Sequence, residues 1–251
     1  INITSSIFSS NSAAGTGGSI ANRGTLTVTD STFTGNNTNS SISAGGGIYN
    51  DGTLAVTSST FSNNSTVGTV TAGGGIANDH GTLTVANSTF FGNSTNDGYG
   101  GGISNGGTLT VTNSTFSGNS ANASSGGNLF NSGVLTLSNT ILANSPSGDD
   151  CASSGTLTAS GVNLVMDGTC GSSFPSNTDP QLGPLADNGG PTQTMALLPG
   201  SPALDAADDT ICAAAPVSGL DQRGVTRPQG THCDIGAYEF MLTPTTTTLN
   251  A

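Results

Sequence analysis

Three short phrases recur along the chain in a fixed order, and this repeat is the feature that most restricts the fold. The first copies occupy residues 17–22, 24–29 and 31–36, and later copies of the second phrase begin at residues 52, 81, 107 and 133. Within each phrase the apolar residues stand two apart, which is the periodicity of a β-strand. A helix is disfavoured because the apolar spacing of three and four is missing and β-branched residues and glycine are frequent. Three strands in each repeat of 26–29 residues predict one coil of a solenoid.

Stacking such coils in register would give an all-β fold, a right-handed single-stranded parallel β-helix with three strands per coil. Each coil would contact only its neighbours, with strands about 4.8 Å apart along the stack. The apolar positions then form three internal ladders: Ile20, Ile48, Ile76, Ile103 and Leu129; Leu26, Leu54, Leu83, Leu109 and Leu135; and Phe33, Phe61, Phe90, Phe116 and Ile141.

Asparagine ends two of the three phrases, so two asparagine columns should follow the strand ends. Asparagine tolerates left-handed backbone geometry at corners, and stacked side-chain amides can bond one another. We therefore interpret the columns as corner supports, and the alternative is a glycan-binding ridge. Their members are Asn22, Asn50, Asn78, Asn105 and Asn131 in one column, and Asn36, Asn64, Asn93, Asn119 and Asn144 in the other.

The charge content argues against several classes of partner. Only 7% of the 251 residues are charged, and the formal net charge is −12. Nucleic acids and anionic membrane surfaces are not expected as partners, because binding to either requires clustered lysine or arginine. The chain also lacks the run of about 18 apolar residues that a membrane-spanning helix needs.

All four cysteines follow residue 150, and sequence order suggests the pairs Cys151–Cys170 and Cys212–Cys233. Zinc ligation is the alternative, although the spacing matches no CxxC pattern. Disulfides would indicate an oxidising, extracellular or cell-surface location.

We expect coils over 1–148, the last coils and a disulfide-bearing cap over 149–242, and a threonine-rich linker or the start of a following segment over 243–251. The unusual ends suggest a piece of a larger precursor.

Two families share motifs with this chain. The Gly-Gly-x-Ile motif at 17–20, paired with Phe-x-x-Asn at 33–36, resembles the repeat of the polymorphic outer membrane proteins, whose passenger domains are β-helical. Residues 179–192, 200–205, 221–224 and 233–239 resemble the choice-of-anchor Q family of secreted bacterial proteins, and the tail from Thr243 resembles the lead-in to an immunoglobulin-like repeat. The resemblance implies a secreted or surface-anchored protein.

Residues 150–240 have the composition to cover an open solenoid end, which would otherwise expose unpaired backbone. Short strands are expected at 195–198 and 235–240. Arg223 and Arg227 should pair with acids such as Asp221, Asp234 or Glu239. A lower-ranked alternative is Ca²⁺ bound by oxygen ligands, for which the acids are Asp205, Asp208, Asp209, Asp221 and Asp234.

Catalysis is not expected, although some β-helical proteins are enzymes. Glycoside hydrolysis usually needs two carboxylates across one bond, whereas residues 1–148 contain no glutamate and only four aspartates in different coils. Asp51 and Asp79 should lie one coil apart as turn residues, and His80 should be a surface turn residue. We therefore predict a non-enzymatic protein without a cofactor.

The expected function is structural or adhesive, either a surface stalk or a subunit that stacks end to end with itself into a fibre. One alternative is binding to ice or another flat surface through the outward threonines of the second phrase: Thr25, Thr27, Thr82, Thr84, Thr108 and Thr110, with a third column at Thr29, Thr57 and Thr112. Another is cell-surface glycan binding by the loops at 37–44, 65–72 and 94–99, which contain few aromatic residues apart from Tyr99.

Overall fold

The computed structural model describes residues 1–39, 44–67, 72–121, 125–171 and 178–241. Within them the chain is almost entirely β, and consecutive repeats stack as a parallel β-solenoid of about six turns. This confirms the fold class that the repeat predicts. The predicted tail over 243–251 lies outside the described residues.

Three parallel sheets form the sides of the solenoid, and each is named here after its main inward residue. The leucine sheet contains Asn2–Thr4, Thr25–Thr29, Thr53–Thr57, Thr82–Ala86, Thr108–Thr112, Val134–Ser138 and Thr156–Ser160. The phenylalanine sheet contains Ile7–Ser9, Thr32–Thr34, Thr60–Ser62, Thr89–Phe91, Thr115–Ser117, Ile141–Ala143 and Leu164–Val165. The isoleucine sheet contains Ile20–Asn22, Ile48–Asn50, Ile76–Asn78, Ile103–Asn105, Leu129–Asn131 and Cys151–Ser153.

The register pairs each repeat position with its equivalent in the next coil. Leu54 pairs with Leu26 and Leu83, and Phe61 pairs with Phe33 and Phe90. The ladder residues from Leu26 onward are buried, whereas Ile20 in the first complete coil is half-buried. Phenylalanine rings stack face to face with centroids 4.5–4.8 Å apart, matching the spacing of the strands themselves.

The phenylalanine ladder continues through Leu142, so the prediction of Ile141 at this position is wrong. Leu142 pairs with Phe116, whereas Ile141 pairs with Thr115 and packs outside the column. Alternate residues of a strand face opposite sides, so a shift of one position exchanges the inner and outer side chains. The same shift displaces Asn144, which is exposed with φ 59° and donates to Ser117 Oγ instead of extending the asparagine column.

The expected loops after the third phrase begin with further short strands. Ser12–Ala13, Asn37–Thr38, Ser65–Thr66 and Ser94–Thr95 form a fourth parallel ladder, and Ala44–Gly45 pairs with Ala72–Gly73. Thr38, Thr66 and Thr95 are buried there. The parts of these loops at 40–43 and 68–71 lie outside the described residues.

Glycine in the first phrase is required by close approach of neighbouring coils. A Cβ on Gly75 would lie 2.6 Å from the carbonyl oxygen of Gly102 and 3.1 Å from Cδ1 of Phe90. No side chain fits in that space without displacing backbone, so this corner of the coil can turn inward only with glycine.

Residues 178–241, called the C-terminal flank below, lie mainly along the side of the solenoid. The flank contains an antiparallel hairpin of Leu182–Ala186 and Thr194–Leu197 and one short helix, Asp209–Ala213. Gly236 N donates to Asn139 O, Ala237 N to Thr115 Oγ1, and Thr192 Oγ1 to Ser58 O. The flank therefore runs back from the last coils toward the first along the outer face of the phenylalanine sheet. The strand expected at 235–240 does not form.

Both predicted disulfides are confirmed, Cys151–Cys170 and Cys212–Cys233. Cys151 continues the isoleucine ladder below Leu129, and Cys170 packs against the end of the core. Only this first disulfide lies at the solenoid end, whereas the second lies within the flank. The expected cap is thus mostly a lateral support. Among the described residues, no helix is long and apolar enough to span a bilayer.

Candidate functional surfaces

The outer face of the leucine sheet carries two open columns of mostly threonine side chains. Thr25, Thr53, Thr82 and Thr108 pair in register and are exposed, and Thr27, Thr84 and Thr110 form a half-buried column beside them. None of these hydroxyl groups makes a hydrogen bond to any described residue. Ala55 and Val134 interrupt the pattern. The surface is therefore a flat, regularly spaced array of hydroxyl and methyl groups, called the threonine face below.

The third outward column does not contribute to this face, although the sequence predicted that it would. Ala86, Thr112 and Ser138 are buried, and the adjacent corner contacts the C-terminal flank. Thr29 and Thr57, in the same column, are half-buried and line a groove beside the flank. Burial by a segment that is 99 to 133 residues away in the chain cannot be detected from the local alternation of a strand.

The asparagine columns are internal ladders rather than a surface ridge. Asn36, Asn64, Asn93 and Asn119 have no exposed surface, and each Nδ2 donates to Oδ1 of the next asparagine at 2.8 Å. Asn128 follows Asn119 in place of Asn144, and its Nδ2 donates to Asp150 Oδ1. The other column runs from Asn22 through Asn50, Asn78, Asn105 and Asn131 to Ser153. Buried amides with these partners offer no surface to a sugar.

Asp51 and Asp79 lie near each other in neighbouring coils, as expected, beside His80. His80 Nδ1 is 3.5 Å from a carboxylate oxygen of each aspartate, and its side chain is 79% exposed. Tyr49 donates to Asp79 Oδ2 at 3.0 Å. Burial, followed by this hydrogen bond, raises the pKa of Tyr49 to about 12. The tyrosine is thus a hydrogen-bond donor fixed to the corner, whereas His80 is an exposed turn residue beside the two carboxylates.

Most of the acids considered for calcium are occupied by the flank's own polar groups. Asp234 accepts from the backbone N–H groups of Asp205 and Phe240, and Asp209 accepts from that of Cys233. Asp208 caps the short helix by accepting from Thr210 N and Ile211 N. Among the described residues, no group of three or more histidine, cysteine or acidic side chains has the arrangement of a metal site.

Both flank arginines pair with acids as the sequence suggested. Arg223 contacts Asp221 at 2.7 Å and lies 3.6 Å above the ring of Tyr238, while Arg227 contacts Glu239 at 3.4 Å. Arg227 is buried, and desolvation lowers its pKa. Burial also raises the pKa of Asp234 and Glu239. The network holds the flank together internally, because both arginines and their acidic partners belong to the flank.

A groove that the sequence does not predict lies between the flank and one solenoid corner. Its floor contains Asp30, Ser58 and Asn87, and its volume is about 360 Å³. These three floor residues stack in one corner column, and each has a positive φ. The opposite wall comes from the flank, so no local motif marks the groove.

The stacked sheets, filled interior and internal asparagine ladders define the class of this protein as a parallel β-solenoid. No protein-family model, curated protein or solved structure gave a significant match to the chain. The resemblance to the choice-of-anchor Q and polymorphic outer membrane protein families therefore stays a prediction.

Proposed function

We propose that this protein is a non-enzymatic, extracellular structural rod, a rigid stalk segment of a cell-surface or secreted protein. The observation that carries the proposal is the unbroken register of the leucine sheet over seven strands, above a column of buried side chains. A solenoid distributes its stability over nearest-neighbour interfaces and resists bending when each interface is filled. The lateral flank and both disulfides add constraints suited to an oxidising environment.

Rigidity can be measured with spin labels on Thr25 and Thr156, two exposed positions of one outer column. They are separated by five strand spacings, so the expected backbone separation is roughly 24 Å. Because the column is filled and in register, double electron–electron resonance should give one narrow distance distribution. The matched control places the same two labels on the denatured protein, where the distribution should be broad. A broad distribution in the native protein would contradict the rod.

The extracellular location can be tested separately by measuring free thiols. Protein recovered from its native source, denatured without reductant, should show no free thiols, because all four cysteines are paired. Reactive thiols in that sample would contradict an oxidising location.

A second candidate function is adhesion of the threonine face to a regular flat surface such as ice. It is supported by the unpartnered hydroxyl groups in two in-register columns, spaced about 4.8 Å across strands and roughly 6.6 Å along them. A flat solid with a compatible repeat could contact many such groups at once, and no side chain would need to reorient.

The threonine face is tested by Thr84→Tyr combined with Thr110→Tyr, which adds two rings to the flat array. If the face binds ice, the wild-type protein should inhibit ice recrystallisation at micromolar concentration, and the double variant should lose this effect. Thr231→Tyr, an exposed substitution on the flank, is the control and should stay active. Absence of inhibition by the wild-type protein would remove this candidate.

End-to-end self-stacking and glycan binding by the repeat loops stay predictions. The first N-terminal strands expose Ile1 and Ile7, and Phe8 packs against the core from one side. Electron microscopy would reveal stacking as rods of distributed length, whereas uniform particles would contradict it. On the loop face, Tyr99 stacks on Phe130 with centroids 4.5 Å apart, and a glycan array would test that surface.

A further inference from the structure

The groove between the corner column and the flank combines unmet hydrogen-bond acceptors with an apolar wall. Its corner side is lined by Thr29, Asp30, Thr57, Ser58 and Asn87. Its flank side is lined by residues that include Pro191, Pro216, Val217, Ser218 and Leu220. Its volume of about 360 Å³ falls within the range of small-molecule sites, roughly 300–1,000 Å³.

Asn87 provides the most informative polar atom of the groove. Its side chain is 2% exposed, and its Nδ2 donates to Leu220 O at 3.0 Å, which ties the corner to the flank. Its Oδ1 is buried and accepts no hydrogen bond from the described residues. The equivalent oxygen of Asn139, two coils on, accepts from Asp208 N and Val162 N. A buried acceptor without a donor is energetically costly. The chain itself supplies two donors at the Asn139 corner, whereas the described residues supply none to Asn87 Oδ1.

Asp30 is the second unmet acceptor. Its carboxylate is half-buried and has neither an ion pair nor a hydrogen bond among the described residues. Burial raises its pKa above the usual range, which is the expected effect when a carboxylate loses water without gaining a partner. Arg223, which also lines the groove, is bonded to Asp221 and to the carbonyl oxygens of Asn188 and Glu239.

The flank side of the groove presents apolar residues that are partly open to solvent. Leu220 is 40% exposed, Pro191 and Pro216 are exposed, and Val217 is buried behind them. A ligand for this groove must therefore offer hydrogen-bond donors on one side and carbon-bound hydrogens on the other. Saccharide rings have this two-sided character, whereas a peptide usually needs an extended groove or a free sheet edge.

We propose that the groove binds one saccharide unit, whose donor groups face Asp30 and Asn87 and whose apolar ring face lies against Pro191, Pro216 and Leu220. The charge of Asp30 is unpaired, so a sugar with a protonated amine should bind more tightly than a neutral one, and a sugar acid should bind least. This site is separate from the threonine face and does not depend on the mechanical role of the rod.

Saturation-transfer NMR on the full chain tests the proposal with three probes that differ in charge: glucosamine, glucose and glucuronate. Because a single small site of this kind binds weakly, each probe should be titrated to about 20 mM. The expected order of affinity is glucosamine, then glucose, then glucuronate. No signal from glucosamine or glucose, or equal binding of glucuronate and glucosamine, would overturn the proposal.

Two variants locate the site. Thr29→Tyr places a ring in the groove from a half-buried strand position, and Thr25→Tyr adds the same ring to the exposed far end of that strand. We expect Thr29→Tyr to abolish binding and Thr25→Tyr to leave it unchanged, while thermal unfolding verifies that both fold. Equal effects of the two variants on binding would mean that the saccharide binds elsewhere, which would overturn the proposal.

Asp30→Asn separates the role of charge from that of shape. Asparagine already occupies the equivalent corner at residues 87, 113 and 139, so the positive φ of Asp30 is retained without strain. The variant should weaken glucosamine binding roughly tenfold, because a charge-assisted hydrogen bond is lost, and should affect glucose less. An unchanged affinity for glucosamine would contradict the assignment of Asp30 as its partner.

Discussion

Hydrogen bonding of single side chains explains why asparagine recurs at the ends of two phrases. Asn93 accepts from both the backbone N–H and the side-chain amide of Asn64, and it donates to Phe61 O and Asn119 Oδ1. One residue thus satisfies groups in the coils on both sides of it. An aspartate lacks the donors for this role in mid-column, and the column ends where Asp150 is the final acceptor.

Replacing Asn93 with alanine should therefore be strongly destabilising. It leaves the buried backbone N–H and one side-chain N–H of Asn64 without an acceptor, and it removes a donor from Phe61 O and Asn119 Oδ1. The expected loss of unfolding free energy is roughly 3 kcal/mol, at about 1–3 kcal/mol for each unmet group. Asn39→Ala is the control, because Asn39 is exposed and its side chain makes no hydrogen bond to described residues. Chemical denaturation would measure the unfolding free energy of both variants. Equal losses would show that the asparagine column contributes no more to stability than an exposed side chain does.

Within the flank, the short helix Asp209–Ala213 is an element held by a capping carboxylate and a disulfide. Asp208 Oδ1 accepts from the hydroxyl and backbone N–H groups of Thr210 and from the backbone N–H of Ile211, and these bonds lower the pKa of Asp208. Because its pKa is lower in the folded state, the stability it adds is present above the unfolded pKa near 3.8 and is lost as the pH falls through the folded value.

Asp208→Ala should cost about 1 kcal/mol near pH 7, as is typical for loss of an N-cap. The penalty should shrink once the pH falls below the lowered pKa of Asp208, because the wild-type carboxylate is then protonated. Asp208→Asn retains a capping oxygen but not the charge, so it should cost less than Asp208→Ala. Unfolding measured over a pH series would decide this, and a penalty for Asp208→Ala that does not change with pH would refute the charge contribution.

For the whole molecule, Gln222 is the main polar link between flank and solenoid. Its Nε2 donates to Thr60 Oγ1 and Thr192 Oγ1, both at 2.9 Å, and its Oε1 accepts from Thr89 Oγ1 at 2.6 Å. The side chain is 1% exposed, so these bonds replace water on both partners. A single residue of the flank therefore joins two successive coils.

Gln222→Leu should loosen the flank without unfolding the coils, because leucine leaves the buried hydroxyl group of Thr89 without its acceptor and removes a donor from the hydroxyl groups of Thr60 and Thr192. Hydrogen exchange should accelerate at the flank amides near residues 190–194 and 220–224, while the amides of the leucine sheet remain protected. Gln193→Leu, an exposed substitution in the same region, should leave exchange unchanged. Faster exchange throughout the solenoid would instead show that flank and coils unfold as one unit.

The sequence alone determined the solenoid, because each inward Ile, Leu or Phe and each ladder asparagine recurs at a spacing that only stacked coils satisfy. It also indicated both cysteine pairs and the partners of Arg223 and Arg227. Local repetition could not reveal that Leu142 replaces Ile141, since a one-residue slip keeps the alternation while reversing its faces. Nor could local repetition reveal that the flank lies along the phenylalanine sheet, that Thr112 is buried or that a groove forms at Asp30 and Asn87. Those features depend on contacts between residues more than 80 positions apart, and only the tertiary structure decides which surfaces meet.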